Sequence, residues 1–150
     1  MPTELYKTTD KNGDELTIYF DDSIANTPVV SIFLKVYAEI IEKGWCNPTI
    51  PFGNSNKVVW AQRPDGSIAG GICFEHNPSV KLVWIVLSFT TPEERGKGIN
   101  GVCHTAFEKV AKNIGATQIA SLVHIDNASR LRSSEKVGLK PQYYRMQKSI

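Results

Sequence analysis

The chain has 150 residues, of which 41% are hydrophobic and 21% are charged, and its formal net charge is +2. This length favours one domain, residues 1–150, with its own core, and this composition excludes bulk disorder. The small positive charge is spread along the chain, so we expect no nucleic-acid partner.

The cysteines and the N-terminus indicate the compartment. Cys46, Cys73 and Cys103 are odd in number and share no metal-ligand spacing, so we expect no bound metal. Cys73 and Cys103 lie in apolar runs and are expected in the core. This pattern favours a reducing cytoplasm over a disulfide framework. The polar N-terminus lacks an apolar signal core and no run reaches membrane-spanning length, so we predict a soluble cytoplasmic protein without a membrane partner.

The first part of the chain predicts a β-hairpin and then an amphipathic helix. Residues 4–8 and 15–20 are rich in β-formers and flank an Asn-Gly pair, a strong hairpin signal. Apolar residues recur at helical spacing over 29–43, and Gly44 is a suitable stop. The following stretch, 45–56, reads as a loop, either a plain connection or the lining of a substrate entrance.

The remaining elements predict a mixed α/β sheet. In chain order they are strands at 57–62, 68–75 and 81–90, a helix at 99–113, a strand at 117–124, a helix at 127–137 closed by Gly138, and a strand at 142–146. The first two of these strands form a hairpin, which makes the middle of the sheet antiparallel. The strand–helix–strand unit over 81–124 requires a parallel crossover. We therefore predict a mixed, mostly antiparallel sheet with helices on both faces.

The stretch Phe89–Gly101, FTTPEERGKGING, joins a long apolar strand to a helix through a basic, glycine-rich turn. Such a turn directs free backbone N–H groups and the positive end of the helix dipole at an anion. The spacing is not that of a nucleotide triphosphate loop. A dinucleotide fingerprint, GxGxxG, is matched literally, but no acidic residue ends a following strand at the expected distance. The glycines could also serve the sterics of the turn alone.

This turn closely resembles the acyl-coenzyme A loop of the GNAT (Gcn5-related N-acetyltransferase) superfamily. The superfamily signature, Arg or Gln, two residues, Gly, one residue, Gly or Ala, falls on Arg95, Gly98 and Asn100, where asparagine replaces the usual small residue. The resemblance implies the acyl-CoA N-acyltransferase fold and acetyl-coenzyme A (acetyl-CoA) as co-substrate. It implies cofactor contacts at Phe89, Thr90, Arg95, Gly96, Lys97, Gly98, Ile99, Asn100, Gly101 and Asn127.

A second stretch, Asn127–Leu139, resembles the later motif of the same superfamily, an asparagine that opens a helix ending in Lys–apolar–Gly–Leu. The resemblance implies that Asn127 contacts the pantetheine arm or the phosphates. The same residue is also a good helix N-cap on its own.

The resemblance further implies acetyl transfer to an amine by direct attack in a ternary complex. Two adjacent central strands splay apart at the active site in that family, and backbone N–H groups near Phe89 and Thr90 would polarise the thioester carbonyl. The usual acid, a tyrosine, is replaced by Ser134, and Trp84 stands where some members have a glutamate base. Tyr143 and Tyr144 could substitute as the acid, although packing against the sheet is the alternative.

For the base, His124 has a suitable ordinary pKa, and Glu75 and His76 are further candidates. A surface or capping role is the alternative for His124, and His104 is not expected to be catalytic. Asp21 and Asp22 either attract a cationic acceptor or are simply solvated.

The leading hypothesis is an N-acetyltransferase for a small-molecule or peptide amine. An acyl-CoA-binding module with weak or no catalysis is the alternative, and an oxidoreductase is remote. The acceptor is not predicted, and a homodimer is left open.

Overall fold

The computed structural model describes residues 2–45, 52–144 and 146–150. Within these ranges the chain forms six strands and three α-helices. They are β1 (Thr3–Thr9), β2 (Glu15–Asp21), α1 (Val30–Glu42), β3 (Lys57–Gln62), β4 (Ile68–Asn77), β5 (Leu82–Thr90), α2 (Ile99–Asn113), β6 (Gln118–Ser121) and α3 (Ala128–Lys136). Two single-turn 3-10 helices, Ile24–Asn26 and Pro92–Glu94, precede α1 and α2.

The six strands make one sheet in the order β1-β2-β3-β4-β5-β6. Neighbours from β1 to β5 are antiparallel, and β6 runs parallel to β5. The predicted hairpins and the parallel crossover are confirmed, as is the mixed, mostly antiparallel fold class. β5 has a neighbour on both sides, which explains its long apolar run.

Each face of the sheet carries one hydrophobic cluster. On one face, α2 packs Cys103, Phe107 and Val110 against inward residues of the strands such as Ile72 and Phe74. On the other face, α1 packs against Trp60, Cys73 and Leu87 in a smaller cluster. Strand side chains alternate between the two clusters, as the pleat requires.

Two predictions about the C-terminal part of the chain are wrong. The strand predicted over 117–124 is limited to β6, because the chain leaves β5 after Ser121. The strand predicted over 142–146 does not form: residues 141–144 and 146 have no regular structure, and position 145 lies outside the described residues. Tyr143 and Tyr144 are therefore exposed and do not pack against the sheet.

Part of the predicted loop at 45–56, including Cys46, Pro48 and Pro51, also lies outside the described residues. In the ranges that are described, no helix combines the length and the apolar character needed to cross a bilayer.

Candidate active site

The cleft begins where β5 and β6 separate. Parallel pairing between these strands runs from Leu82–Gln118 to Ile85–Ser121 and stops there. β5 continues to Thr90, paired only with β4 on its other side, and its extra residue Val86 forms a bulge against β4. In the described part of the chain, the outer edge of β5 beyond Val86 has no strand beside it. Such an edge presents unpaired N–H and C=O groups to a ligand, and the splay that the family resemblance implies is present.

The opening between the two strands is a cleft of about 90 Å³. Pockets that bury a whole drug-sized ligand measure roughly 300 Å³ or more, so this cleft could enclose only part of a ligand. Its lining comes from both strands and from α1 and α3: Tyr37, Ile40, Trp45, Ile85, Val86, Leu87, Ser88, Ser121, Leu122, Val123, His124, Asn127 and Arg130.

The glycine turn lies at the far end of β5. After the 3-10 turn Pro92–Glu94, Gly96 and Gly98 have φ angles of +80° and +79°. Gly98 is the N-cap of α2 and makes no side-chain cap bond. Only glycine adopts such angles without strain. The backbone therefore needs both glycines to turn from strand to helix, and the alternative that they serve the turn sterically is also correct.

The turn offers unsatisfied donors. No acceptor in the described residues is bonded to the backbone N–H groups of Gly96–Gly101; the first helical bond runs from Val102 N–H to the carbonyl of Gly98, at 3.2 Å. Arg95 is exposed and forms no ion pair within the same ranges. Lys97 is held by Glu94, with Nζ 3.5 Å from Oε2. Consecutive N–H groups at a helix start, with a free cation beside them, fit the pyrophosphate of an acyl-CoA.

Arg63, which the sequence did not single out, connects the turn to two other parts of the sheet. It lies after β3, and its Nη2 is 2.6 Å from Asp10 Oδ2 and 2.5 Å from Glu94 Oε2. Its Nε donates to Glu94 Oε1 at 3.2 Å, and its Nη1 donates to the carbonyl of Glu15 at 3.2 Å. No motif predicts this contact, because its members are distant in sequence.

The hairpin turn between β1 and β2 touches the glycine turn directly. Lys11 N–H donates to the carbonyl of Lys97 at 3.0 Å. Asp10 Oδ1 accepts from the N–H groups of Asn12 and Asp14, at 2.7 and 3.1 Å. The hairpin, which is stabilised by its own hydrogen bonds, therefore fixes the position of the glycine turn.

Gly70 allows β4 to lie close to the base of the turn. A Cβ added there would come within 2.8 Å of the carbonyl oxygen of Phe89 and within 2.8 Å of the Ile99 side chain. Gly70 pairs with Thr90, and Gly71 pairs with Phe89. The absence of a side chain therefore sets the position of Phe89 and Thr90, whose N–H groups were predicted to bind the pantetheine.

Asn127 and His124 both line the cleft. Asn127 caps α3, with its Oδ1 accepting from Arg130 N–H at 3.2 Å, so the capping alternative is correct and its Nδ2 remains a donor. His124 stacks on Trp45, with ring centroids 6.0 Å apart, and its Nδ1 accepts from Asp126 N–H at 3.1 Å. A neutral imidazole bonded in this way carries its proton on Nε2. His124 is therefore arranged as a donor, and accepting a proton at Nδ1 would break the bond to Asp126.

The other catalytic candidates lie away from the cleft lining. Ser134 is buried, and within the described ranges its hydroxyl has no hydrogen-bond partner. Trp84 and Glu75 face each other across β5 and β4, where β5 is still paired with β6, and His76 lies beside them. Glu75 also accepts a hydrogen bond from Asn56 Nδ2. Tyr143 and Tyr144 are exposed in the C-terminal segment.

Two further sets of residues have structural roles. His104 and the thiols of Cys73 and Cys103 are buried, and burial raises the pKa of Cys103 to about 12. Asp22 pairs with Lys57 at 3.3 Å and is not part of the cleft lining, nor is Asp21. Within the described ranges, no three His, Cys, Asp or Glu side chains come together as metal ligands would.

Comparison with solved structures shows the same fold. A mutant of the BH1408 protein from Bacillus halodurans is 18% identical, with a TM-score of 0.65 over 89% of this chain and 98% of that one. An aminoglycoside acetyltransferase from an uncultured soil metagenomic sample, in complex with sisomicin, is 14% identical, with a TM-score of 0.62 over 90% and 96%. Aminoglycoside N-acetyltransferase AAC(6')-Iy in complex with CoA is 17% identical, with a TM-score of 0.58 over 87% and 98%.

Among proteins with curated descriptions, none matches this chain. The family model of the acetyltransferase (GNAT) family, however, matches residues 28–139, which include β3 to β6, all three α-helices and both predicted motifs. The family predicted from those motifs is confirmed: the chain belongs to the acetyltransferase (GNAT) family.

Proposed function

We propose that this chain, as one GNAT domain over residues 1–150, transfers the acetyl group of acetyl-CoA to a primary amine. The observation that carries the proposal is the cleft between β5 and β6, which leads at the end of β5 to a turn with unbonded N–H groups. The amine nitrogen attacks the thioester carbonyl carbon, the C–S bond breaks, and the amine loses one proton while the thiolate gains one. Holding both substrates in one cleft supplies much of the rate.

The pyrophosphate is assigned to the turn. Its donors are the N–H groups of Gly96, Lys97, Gly98, Ile99, Asn100 and Gly101, with the guanidinium of Arg95 beside them. Asn100, where the family has a small residue, keeps its N–H free at the start of α2, so this departure leaves the donor in place. The pantetheine arm is assigned to the open edge of β5 and to Asn127 Nδ2. Thr90 directs its N–H to that edge, whereas the N–H of Phe89 faces β4, as the bond from Thr91 N–H to the carbonyl of Ala69 requires, so Phe89 is proposed to contact the arm through its other atoms.

His124 is the catalytic candidate that the geometry favours. It lines the cleft, and because its Nδ1 accepts from Asp126 N–H, its Nε2–H can donate a hydrogen bond that stabilises the charge on the departing thiolate, which takes its proton from water. A catalytic role for Ser134 is supported only by its place at the family's acid position. Its buried hydroxyl favours a structural role instead. The described residues that line the cleft include no carboxylate, and we propose water as the proton acceptor for the amine.

The acceptor is proposed to be a small-molecule or peptide amine. Two structures of similar fold are aminoglycoside acetyltransferases, one of them in complex with sisomicin, which supports small amines as the first acceptors to test. The buried free thiols of Cys73 and Cys103 support a reducing compartment such as the cytoplasm.

The experiment has two steps. The melting temperature is measured with acetyl-CoA and with NAD, and we expect a rise with acetyl-CoA alone, because only the ligand that binds the native state stabilises it. A rise with NAD alone would overturn the proposal. Release of free thiol is then measured with a panel of amines, and at least one amine is expected to raise it above hydrolysis.

A second function, an acyl-CoA-binding module without catalysis, is favoured by one observation. The position that holds the acid in the family is a buried serine whose hydroxyl has no partner in the described residues. A rise in melting temperature with acetyl-CoA, together with no amine-dependent thiol release, would select this function.

A further inference from the structure

Arg130 lines the cleft, and no described residue neutralises the charge of its guanidinium. It lies in the first turn of α3, half buried, next to Asn127 and near His124. Its backbone N–H is bonded to Asn127, and its carbonyl accepts from the hydroxyl of Ser133 at 3.1 Å. Its guanidinium, in contrast, has neither a hydrogen bond nor an ion pair with any described residue.

No acidic side chain in the described ranges lies within ion-pair distance of the Arg130 guanidinium. The residues outside the described ranges are Met1, 46–51 and Arg145, and none of them is Asp or Glu. Asp126, close in sequence, faces His124 Nδ1 at 3.8 Å. Burial lowers the pKa of Arg130 to about 10, and no neighbouring anion offsets this effect. A desolvated guanidinium without a partner is unfavourable, and an anion on a ligand would compensate it.

An anion bound by Arg130 would be distant from the site assigned to the phosphates of the cofactor. The cleft follows β5 over Ile85–Ser88, whereas the glycine turn begins after Thr90. The four residue steps from Val86 to Thr90 span about 13 Å of strand. Arg130 therefore faces the part of the cleft where thioester and amine would meet. Its planar fork of donors matches a carboxylate, which it can bind through two parallel hydrogen bonds.

We propose that Arg130 is a specificity-determining residue that binds a carboxylate on a substrate in the cleft. This inference rests on the proposed acyl transfer. The carboxylate belongs either to the acceptor, as in an amino acid, or to the acyl chain of the thioester, as in succinyl-CoA. The aromatic and apolar wall opposite, formed by Tyr37, Ile40 and Trp45, fits the carbon skeleton of such a substrate.

The test compares substrates that differ only in the carboxylate. In the acceptor arm, β-alanine is compared with propylamine, using acetyl-CoA as donor. In the donor arm, succinyl-CoA is compared with butyryl-CoA, using the best amine of the panel. Both arms are run on the wild-type chain, on Arg130→Gln, and on Arg132→Gln. Arg132 is exposed on the same helix, so its substitution makes the same charge change outside the cleft.

We expect kcat/KM to favour the carboxylate in one arm by at least about tenfold. Arg130→Gln should abolish that preference, while Arg132→Gln should keep it. The arm in which the preference is found shows whether the carboxylate belongs to the acceptor or to the acyl chain. The melting temperature of Arg130→Gln should equal or exceed that of the wild type, because the change removes an uncompensated charge. A structural role for Arg130 would lower it instead.

Three results would overturn the inference. One is no carboxylate preference in either arm although acetyl-CoA binds and thiol is released, which leaves the proposed function intact. Another is that Arg130→Gln weakens the binding of every thioester and of free CoA equally. That result would assign Arg130 to the binding of the cofactor. A chain that binds no acyl-CoA in the melting experiment would overturn the proposed function together with this inference.

Discussion

Gly98 shows how a single residue determines the shape of the turn that we propose binds the cofactor. Its φ of +79° lies in the left-handed region, and it is the N-cap of α2. An alanine there would strain the backbone and displace the N–H groups that follow. We predict that Gly98→Ala destabilises the chain by about 1–2 kcal/mol and raises KM for acetyl-CoA at least about tenfold. Urea unfolding and steady-state kinetics measure the two effects.

Gly101→Ala is the matched control for stability. Gly101 lies inside α2 at a negative φ, and a Cβ added there has nothing within 4 Å. Alanine has the higher helix propensity, so this change should stabilise the chain by about 0.5–1 kcal/mol. Equal effects of the two substitutions on stability would contradict the role assigned to the backbone of Gly98.

At the same scale, His124 is predicted to act on the chemical step. The bond from Asp126 N–H to Nδ1 leaves Nε2–H as a hydrogen-bond donor for the charge on the departing sulfur. We expect His124→Leu to lower kcat about 100-fold, the usual size of a lost charge-stabilising donor, with little change in KM for acetyl-CoA. An unchanged kcat would show that His124 only stacks on Trp45. His76→Leu, a substitution outside the cleft lining, is the control.

At the scale of elements, Arg63 connects the β1–β2 hairpin to the proposed cofactor site. Its guanidinium joins Asp10 of the hairpin turn to Glu94 of the 3-10 turn before the glycines. All three side chains are largely buried, so removing the guanidinium leaves Asp10 with backbone N–H donors alone and Glu94 with Lys97 alone. We predict that Arg63→Met raises KM for acetyl-CoA about tenfold and changes kcat less, because the turn loses its support.

The control for Arg63 is Lys7→Met. Lys7 pairs with Glu15 on the same hairpin at 3.7 Å, but both side chains are half exposed or more, and exposed pairs contribute little. Lys7→Met should leave KM for acetyl-CoA unchanged and lower the melting temperature less than Arg63→Met does. If Arg63→Met has the wild-type KM for acetyl-CoA, the hairpin does not support the cofactor turn.

The same pair of carboxylates predicts an acid dependence. The hydrogen bonds from Arg63 are the main cause that lowers the pKa of Asp10 and of Glu94 below their ordinary values of 3.8 and 4.5. A lowered native pKa contributes stability above the ordinary value, and that stability is lost as pH falls through the native value. The wild type should therefore lose more stability than Arg63→Met between pH 6 and pH 3. Urea unfolding at both values measures this, and equal losses would contradict the pairing.

At the scale of the whole molecule, local patterns predicted most of the fold. The Asn-Gly hairpin signal, the helical spacing of α1 and α2, and the strand–helix–strand order each contain their information within a short stretch. The predicted bounds of α2 agree with Ile99–Asn113. The strand at 142–146 was wrong because residues 142–144, although rich in β-formers, have no neighbouring strand in the described chain and so gain nothing from pairing.

The site was predictable only where its residues are adjacent in sequence. The glycine turn and Asn127 follow from two short motifs. The contacts of Arg63 join the residues near positions 10, 63 and 94, and the position of Arg130 in the cleft depends on how far β6 diverges from β5. The hydrogen bond that determines the tautomer of His124 likewise depends on the fold of residues 124–126. The first two features come from the tertiary structure, and the third from a local turn that no motif in the sequence indicated.

The central claim is that the turn after β5 binds the pyrophosphate of an acyl-CoA. The most direct test is a titration of the ¹⁵N-labelled chain with CoA, followed through backbone amide resonances. We predict large shifts at Gly96–Gly101, smaller shifts at Phe89 and Thr90, and none at Asp65–Ser67 in the β3–β4 turn. NAD at the same concentration should move none of them. Shifts with NAD alone, or with CoA at sites that exclude Gly96–Gly101, would contradict the account.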